Sequence, residues 1–139
     1  MEFSINKLIA NSSTVQWGFY DPEAKPLFNV SSGDIVEVHT EPGMREVDSE
    51  MREIVSPELI DIVENGERKL GGHILNGPIG IREALAGDVL EVKMLEILPR
   101  YNWGFNRFRP LSGGLPEDFP YERRIIIEID KEKNVCDWE

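Results

Sequence analysis

One cysteine and two histidines are all that this chain of 139 residues holds of the thiol and imidazole side chains. The lone Cys136 excludes a disulfide within the chain and any zinc site built from cysteine. Between Val135 and Asp137, it reads as an ordinary thiol near the end of the sequence. Positive charge is also scarce. Fifteen Lys and Arg stand against 26 Asp and Glu, for a net charge of −11. That balance argues against nucleic acid, whose phosphates need a basic footprint, and against an anionic membrane surface. No stretch approaches the roughly 18 uninterrupted apolar residues of a membrane helix. The start, Met1 to Lys7, has no basic segment leading into an apolar run, so no signal peptide is expected. The expectation is a soluble, cytoplasmic protein.

Signatures of several catalytic classes are missing too. No serine sits in a Gly-x-Ser-x-Gly elbow, so no Ser/His/Asp set is identifiable. Ser112-Gly113-Gly114 is too short to cradle a phosphate. There is no internal repeat and no low-complexity tract.

Turns set the pattern of what is present. The length suits a single domain over residues 1–139, and 40% hydrophobic with 29% charged residues excludes global disorder. Residues 34–40 alternate Ile35, Glu37 and His39 against Val36, Val38 and Thr40, as a strand with one buried face does. The Ser32-Gly33-Asp34 turn opens it. Gly87-Asp88 opens a second strand over residues 89–98, with Leu90, Val92 and Met94 on one side; Leu95 and Ile97 make its later part apolar on both. Residues 124–130 form a third, rich in isoleucine. Weaker strands are expected at 14–19 and 27–30. Gly71-Gly72, Ser112 to Gly114 and residues 116–120 read as loops.

The middle of the chain changes character. Ser56 can cap a helix, Pro57 tolerates its first turn, and Glu58 favours its dipole. Leu59, Ile60 and Val63 give an apolar stripe, and Gly66 a stop. Residues 45–55 form either a helix or an ordered loop. The fold class expected is mainly β, a β-sandwich or barrel-like module, with a short helical insertion around residues 45–65.

The richest stretch is His73-Ile74-Leu75-Asn76-Gly77-Pro78-Ile79-Gly80-Ile81, followed by Gly87-Asp88. His73 lies on a Gly-rich approach, where it could buttress the following turn or face a cleft as a metal ligand. Asn76 belongs to an Asn-Gly-Pro turn, yet its amide could also donate to a substrate carbonyl. Asp88 is read as bonding backbone N–H groups of its own turn. His39 shares a strand face with Ile35 and Glu37, a structural or surface position. Residues 101–109 interleave aromatics with arginine. In so acidic a chain that favours a loop packed on the core, or a subunit contact, over base stacking.

Taken in order, these segments resemble the N-terminal half of the acetamidase/formamidase family. Those that carry the resemblance are Trp17-Gly18-Phe19-Tyr20-Asp21, Ser32-Gly33-Asp34, the His73 to Ile81 stretch, Gly87-Asp88, Trp103 to Asn106, Arg109-Pro110-Leu111 and Leu115 to Pro120. They span residues 15–130. The resemblance implies a β-rich fold, hydrolysis of small amides with release of ammonia, and a divalent metal such as zinc, with His73 as a ligand and Asn76 on the substrate. It implies homo-oligomerisation as well. Members of the family are about twice this length. A later Gly-rich segment with Asp, His and Glu, the main source of their catalytic groups, matches nothing here. The expectation is therefore an N-terminal part or subunit, incomplete alone, completed by a C-terminal half or second subunit. The alternative is a non-catalytic β module with a binding or structural role, or the remnant of a shortened gene.

Overall fold

The computed structural model describes residues 5–70 and 72–138. Residues 1–4 of the segment read for a signal peptide, Gly71 of the Gly-Gly loop, and Glu139 lie outside the described residues. The fold is mainly β with a short helical insertion, and its sheets are small and not closed. Two compact units divide the chain, Met1–Val92 and Lys93–Glu139.

In the first unit, β1 (Ile5–Ile9) runs parallel to β4 (Ile35–His39), with Lys7 opposite Glu37 and Ile9 opposite His39. β2 (Val15–Trp17) is antiparallel to β5 (Ile74–Asn76), and β3 (Phe28–Val30) is parallel to β6 (Ile79–Ile81). β5 and β6 flank a cis Gly77–Pro78 bond, where the expectation was a turn alone. β2 and β3 fall within the weaker strands expected at 14–19 and 27–30, whereas β5 and β6, three residues each, are too short for alternation to show in sequence.

The turn before β4 is built as expected. Ser31 N–H donates to Asp34 Oδ2 at 2.8 Å and Asp34 N–H to the Ser31 carbonyl at 3.1 Å, while Gly33 takes φ +90°. A positive φ there favours glycine, which lacks the Cβ that would clash.

The helical insertion has two pieces. Of residues 45–55 only α1 (Ser49–Arg52) is helical, capped by the Asp48 side chain accepting from Met51 N–H at 2.9 Å. α2 (Pro57–Asn65) begins at Ser56, whose hydroxyl accepts from Leu59 N–H at 3.0 Å. Its fully buried residues are Leu59 and Ile62. Burying each stabilises by about 1.5–3 kcal/mol. Of the expected Leu59, Ile60 and Val63, Leu59 is fully buried, Val63 packs on the core, and Ile60 is only half-buried. Gly66 ends the helix in extended conformation, its N–H bonded to the Ile62 carbonyl at 2.9 Å. Glycine is needed because a Cβ would run into that carbonyl. Ile62 meets Ala10 and Trp17 in the core, with Val15, Val63 and Ile74 packed around them.

The second unit is an antiparallel sheet of β7 (Trp103–Phe108), β8 (Arg123–Asp130) and β9 (Val135–Cys136). β7 corrects the loop expected at 101–109. Its residues pair with β8 from Trp103 opposite Glu128 to Phe108 opposite Arg123. Trp103 is buried with Tyr101 4.8 Å away, and Phe108 meets Phe119 and Tyr121 edge-on. The aromatics are thus sheet packing.

Residues 89–98 also differ from expectation. They adopt no strand, and every one is exposed, Val89 at 95% and Ile97 at 79%. The alternation favours a strand, but a strand exists only where a neighbour accepts its hydrogen bonds. Among the described residues none does. No helix of the described residues is long and apolar enough to cross a membrane.

Candidate functional site

Of the residues singled out from sequence, His39 and Asn76 meet where β4 ends beside β5, and His73 stands at the opposite end of β5. β5 is held on one side by β2, with Trp17 opposite Ile74 and Val15 opposite Asn76. Gly18 N–H donates to the His73 carbonyl at 3.0 Å, and Gly77 N–H to the Thr14 carbonyl at 3.1 Å. On the other side, Asn76 Nδ2 donates to the His39 carbonyl at 2.8 Å. The loop after β4 reaches the head of β5. A Cβ on Gly43 would lie 3.1 Å from the Gly72 carbonyl oxygen and 3.7 Å from His73 Cα, so the two backbones touch.

His73 is exposed at the head of β5, anchored through its backbone carbonyl. Asn76 is half-buried, with its amide engaged by His39. Asp88 sits in its own turn, accepting from Leu85 N–H at 2.8 Å, as read from sequence. Cys136 is exposed on β9.

Two features were missed. The first is a carboxylate–imidazole pair on β4, with His39 Nε2 2.6 Å from Glu37 Oε1. Lys7 Nζ lies 3.0 Å from the other Glu37 oxygen. The hydrogen bond to His39, then that to Lys7, holds the Glu37 carboxyl below its usual 4.5. The signal was visible: residues two apart on a strand share a face. A carboxylate on one ring nitrogen fixes the orientation of an imidazole.

The second is Glu41, 8% exposed, which accepts from the Ser56 hydroxyl at 2.8 Å. A buried carboxylate needs such donors, because losing water without them is costly. Nothing in the sequence around Glu41 marks it. Elsewhere in the first unit, Trp17 keeps its indole N–H buried with no hydrogen-bond partner among the described residues, while Arg68 lies 5.5 Å from its ring centroid.

A metal that activates water draws on about three protein ligands. Among the described residues no group of three or more His, Cys, Asp and Glu comes together to hold one. The described residues by themselves therefore do not fit the metal that the family resemblance implies. What the geometry defines is a β-rich module that presents His73, the Glu37–His39 pair and Asn76 along adjoining strands. No family model matches the chain, and neither does any curated protein or solved structure.

Proposed function

We propose that this chain is the N-terminal part of an acetamidase/formamidase-like hydrolase acting on small amides in the cytoplasm, with its catalytic set completed by a second polypeptide segment. The observation that carries the reading is the ordered series of motifs from Trp17 to Pro120, with the His73 to Pro78 motif at its centre. Support comes from how that motif is held: its backbone is fixed by Gly18, Thr14 and the β2 pairing, while the His73 ring stays exposed. A ligand on a rigid strand end suits a site assembled between two pieces, since its position does not await the partner. His73 is the imidazole this chain would offer a divalent metal such as zinc, the other ligands coming from the completing segment. Asn76 holds the His39 carbonyl with one amide N–H, leaving the second as the donor it would offer a substrate carbonyl.

The test is ammonia release from formamide and acetamide. The chain alone is expected to be inactive, and a mixture with a polypeptide bearing the Gly-rich Asp, His and Glu segment active. His73→Ala is expected to abolish the activity of the mixture. No ammonia from any mixture would defeat the proposal.

The alternative of a non-catalytic β module is favoured by one observation, the engagement of the Asn76 amide within the fold. It predicts no metal uptake and no amidase activity in any combination.

A further inference from the structure

The chain builds one turn twice. At Ser31 to Asp34, the first residue donates its N–H to the aspartate side chain, the aspartate N–H returns to the first carbonyl, and Gly33 has φ +90°. At Leu85 to Asp88 the same bonds recur, Leu85 N–H to Asp88 Oδ2 at 2.8 Å and Asp88 N–H to the Leu85 carbonyl at 3.1 Å, with Gly87 at φ +101°. The first turn launches β4, which pairs with β1. The second launches residues 89–98, which carry a strand's alternation and no helix, turn or bend, yet among the described residues pair with nothing. Apolar side chains stand in water along this segment, Leu90 at 63%, Val92 at 66% and Met94 at 74% exposed. An exposed apolar strand with open hydrogen-bonding groups is a template for another strand.

We infer that residues 89–95 pair with the same residues of a second copy of this chain, antiparallel and centred on Val92. The charges select this occupant and register. A parallel two-fold pair must be in register, which sets Glu91 on Glu91 and Lys93 on Lys93. Antiparallel pairing centred between Val92 and Lys93 sets Val92 on Lys93 and Glu91 on Met94, and throws the apolar sets of the two copies onto opposite faces. Pairing centred on Lys93 opposes the two lysines, and pairing centred between Lys93 and Met94 opposes Glu91 and Glu96. Like charges directly opposite are destabilising. Centring on Val92 sets Glu91 across from Lys93 twice, Leu90 across from Met94 twice, and Val89 across from Leu95. Residues of one parity then share one face, so Leu90, Val92 and Met94 of both copies form an unbroken apolar surface. Asp88 stays in its turn and marks the end of the ladder. The inference is independent of the amidase reading.

Sedimentation or light scattering on the whole chain is expected to show a discrete dimer that dissociates on dilution. Lys93→Glu sets a glutamate against Glu91 in both pairs and is expected to weaken it about tenfold, two cross-strand pairs being changed. The exchange Glu91→Lys with Lys93→Glu is expected to restore it. In a Cys136→Ser background, Val92→Cys is expected to oxidise to a covalent dimer, because directly opposed Cα atoms lie about 4.5–5.5 Å apart, within disulfide reach. Val89→Cys is expected not to, its two copies being about 20 Å apart along the ladder. A monomer, a dimer that survives Lys93→Glu or is not restored by the exchange, or equal crosslinking at 89 and 92 would each overturn the inference.

Discussion

The side-chain amide of Asn76 donates to the main-chain carbonyl of His39 at 2.8 Å, tying the end of β4 to β5 across 37 residues of sequence. β4 pairs on its other side with β1 and β5 with β2, so this bond links two two-stranded sheets. Isolated pairs of strands are marginal in water, and such links give them common footing. Asn76→Ala is expected to destabilise the chain by about 1–2 kcal/mol, since a half-buried carbonyl loses its donor. Asn76→Asp is expected to cost more, because it brings a carboxylate against that carbonyl. Urea unfolding midpoints check both; an unchanged midpoint for Asn76→Ala would show that the link is replaced by water.

Ser56 serves two neighbours with one hydroxyl, accepting from Leu59 N–H at 3.0 Å and donating to Glu41 at 2.8 Å. Ser56→Ala removes the cap of α2 and a donor to a buried carboxylate together, an expected loss of about 2–3 kcal/mol. Ser56→Asp keeps a capping oxygen but opposes Glu41, and is expected to be no better than alanine. The pair of variants separates the capping role from the role at Glu41, with thermal denaturation as the readout.

Gly18 has φ +103°, and a Cβ placed there would lie 2.6 Å from Leu70 Cβ and 2.8 Å from its carbonyl oxygen. Space and conformation both refuse a side chain. Gly18→Ala is expected to destabilise by more than about 2 kcal/mol and to loosen the Gly18–His73 bond that fixes the head of β5. Hydrogen exchange at residues 73–76 follows this loosening directly. By contrast, Gly33→Ala meets no atom within 4 Å and carries only the conformational strain.

How far the sequence reaches depends on whether a signal is local. α2 was legible because its cap, first-turn proline and stop all lie within eleven residues. The expected Leu59 and Val63 do face the core, although the fully buried Ile62 stands in place of the half-buried Ile60. β4 and β8 were legible because five to eight residues suffice for alternation or β-branching to show. β1 went unread, since the start of the chain was examined only for a signal peptide. β7 was hidden by its own composition: Trp103, Phe105 and Phe108 among arginines suggested a packed loop or a subunit contact when they are sheet packing. At the site, His39 and Glu37 were placed on one face, but their hydrogen bond needed the side-chain geometry. The partnership of Asn76 with His39 spans too many residues for any local pattern to reveal. Residues 89–98 show the converse, a strong strand pattern whose realisation rests on a neighbour.

Acid should unfold this protein through a few identifiable carboxylates. The Asp61 side chain accepts from Ser12 N–H at 2.8 Å and from Asn65 Nδ2 at 2.9 Å. The bond from the Ser12 backbone, then that from Asn65, holds its carboxyl below the ordinary 3.8. Asp130 is lowered likewise, chiefly by the Lys133 backbone N–H and then by the Lys133 side chain. A carboxylate whose folded pKa is depressed stabilises the fold fully above its unfolded pKa, where it is ionised in both states. As pH falls below about 4, the unfolded chain takes up the proton first, and the contribution is lost as pH passes through the lower folded value. Stability is therefore expected to fall with decreasing pH in that window and to be flat for this group above it. Asp61→Asn is expected to flatten the acid limb while also lowering stability near neutrality, because one amide oxygen replaces two charged acceptors. Denaturant titrations between pH 2 and pH 7, a window set by carboxylate titration, decide the matter. An acid limb as steep in Asp61→Asn as in the unaltered chain would assign it to other carboxylates, with Asp130 and Glu37 next to be tested.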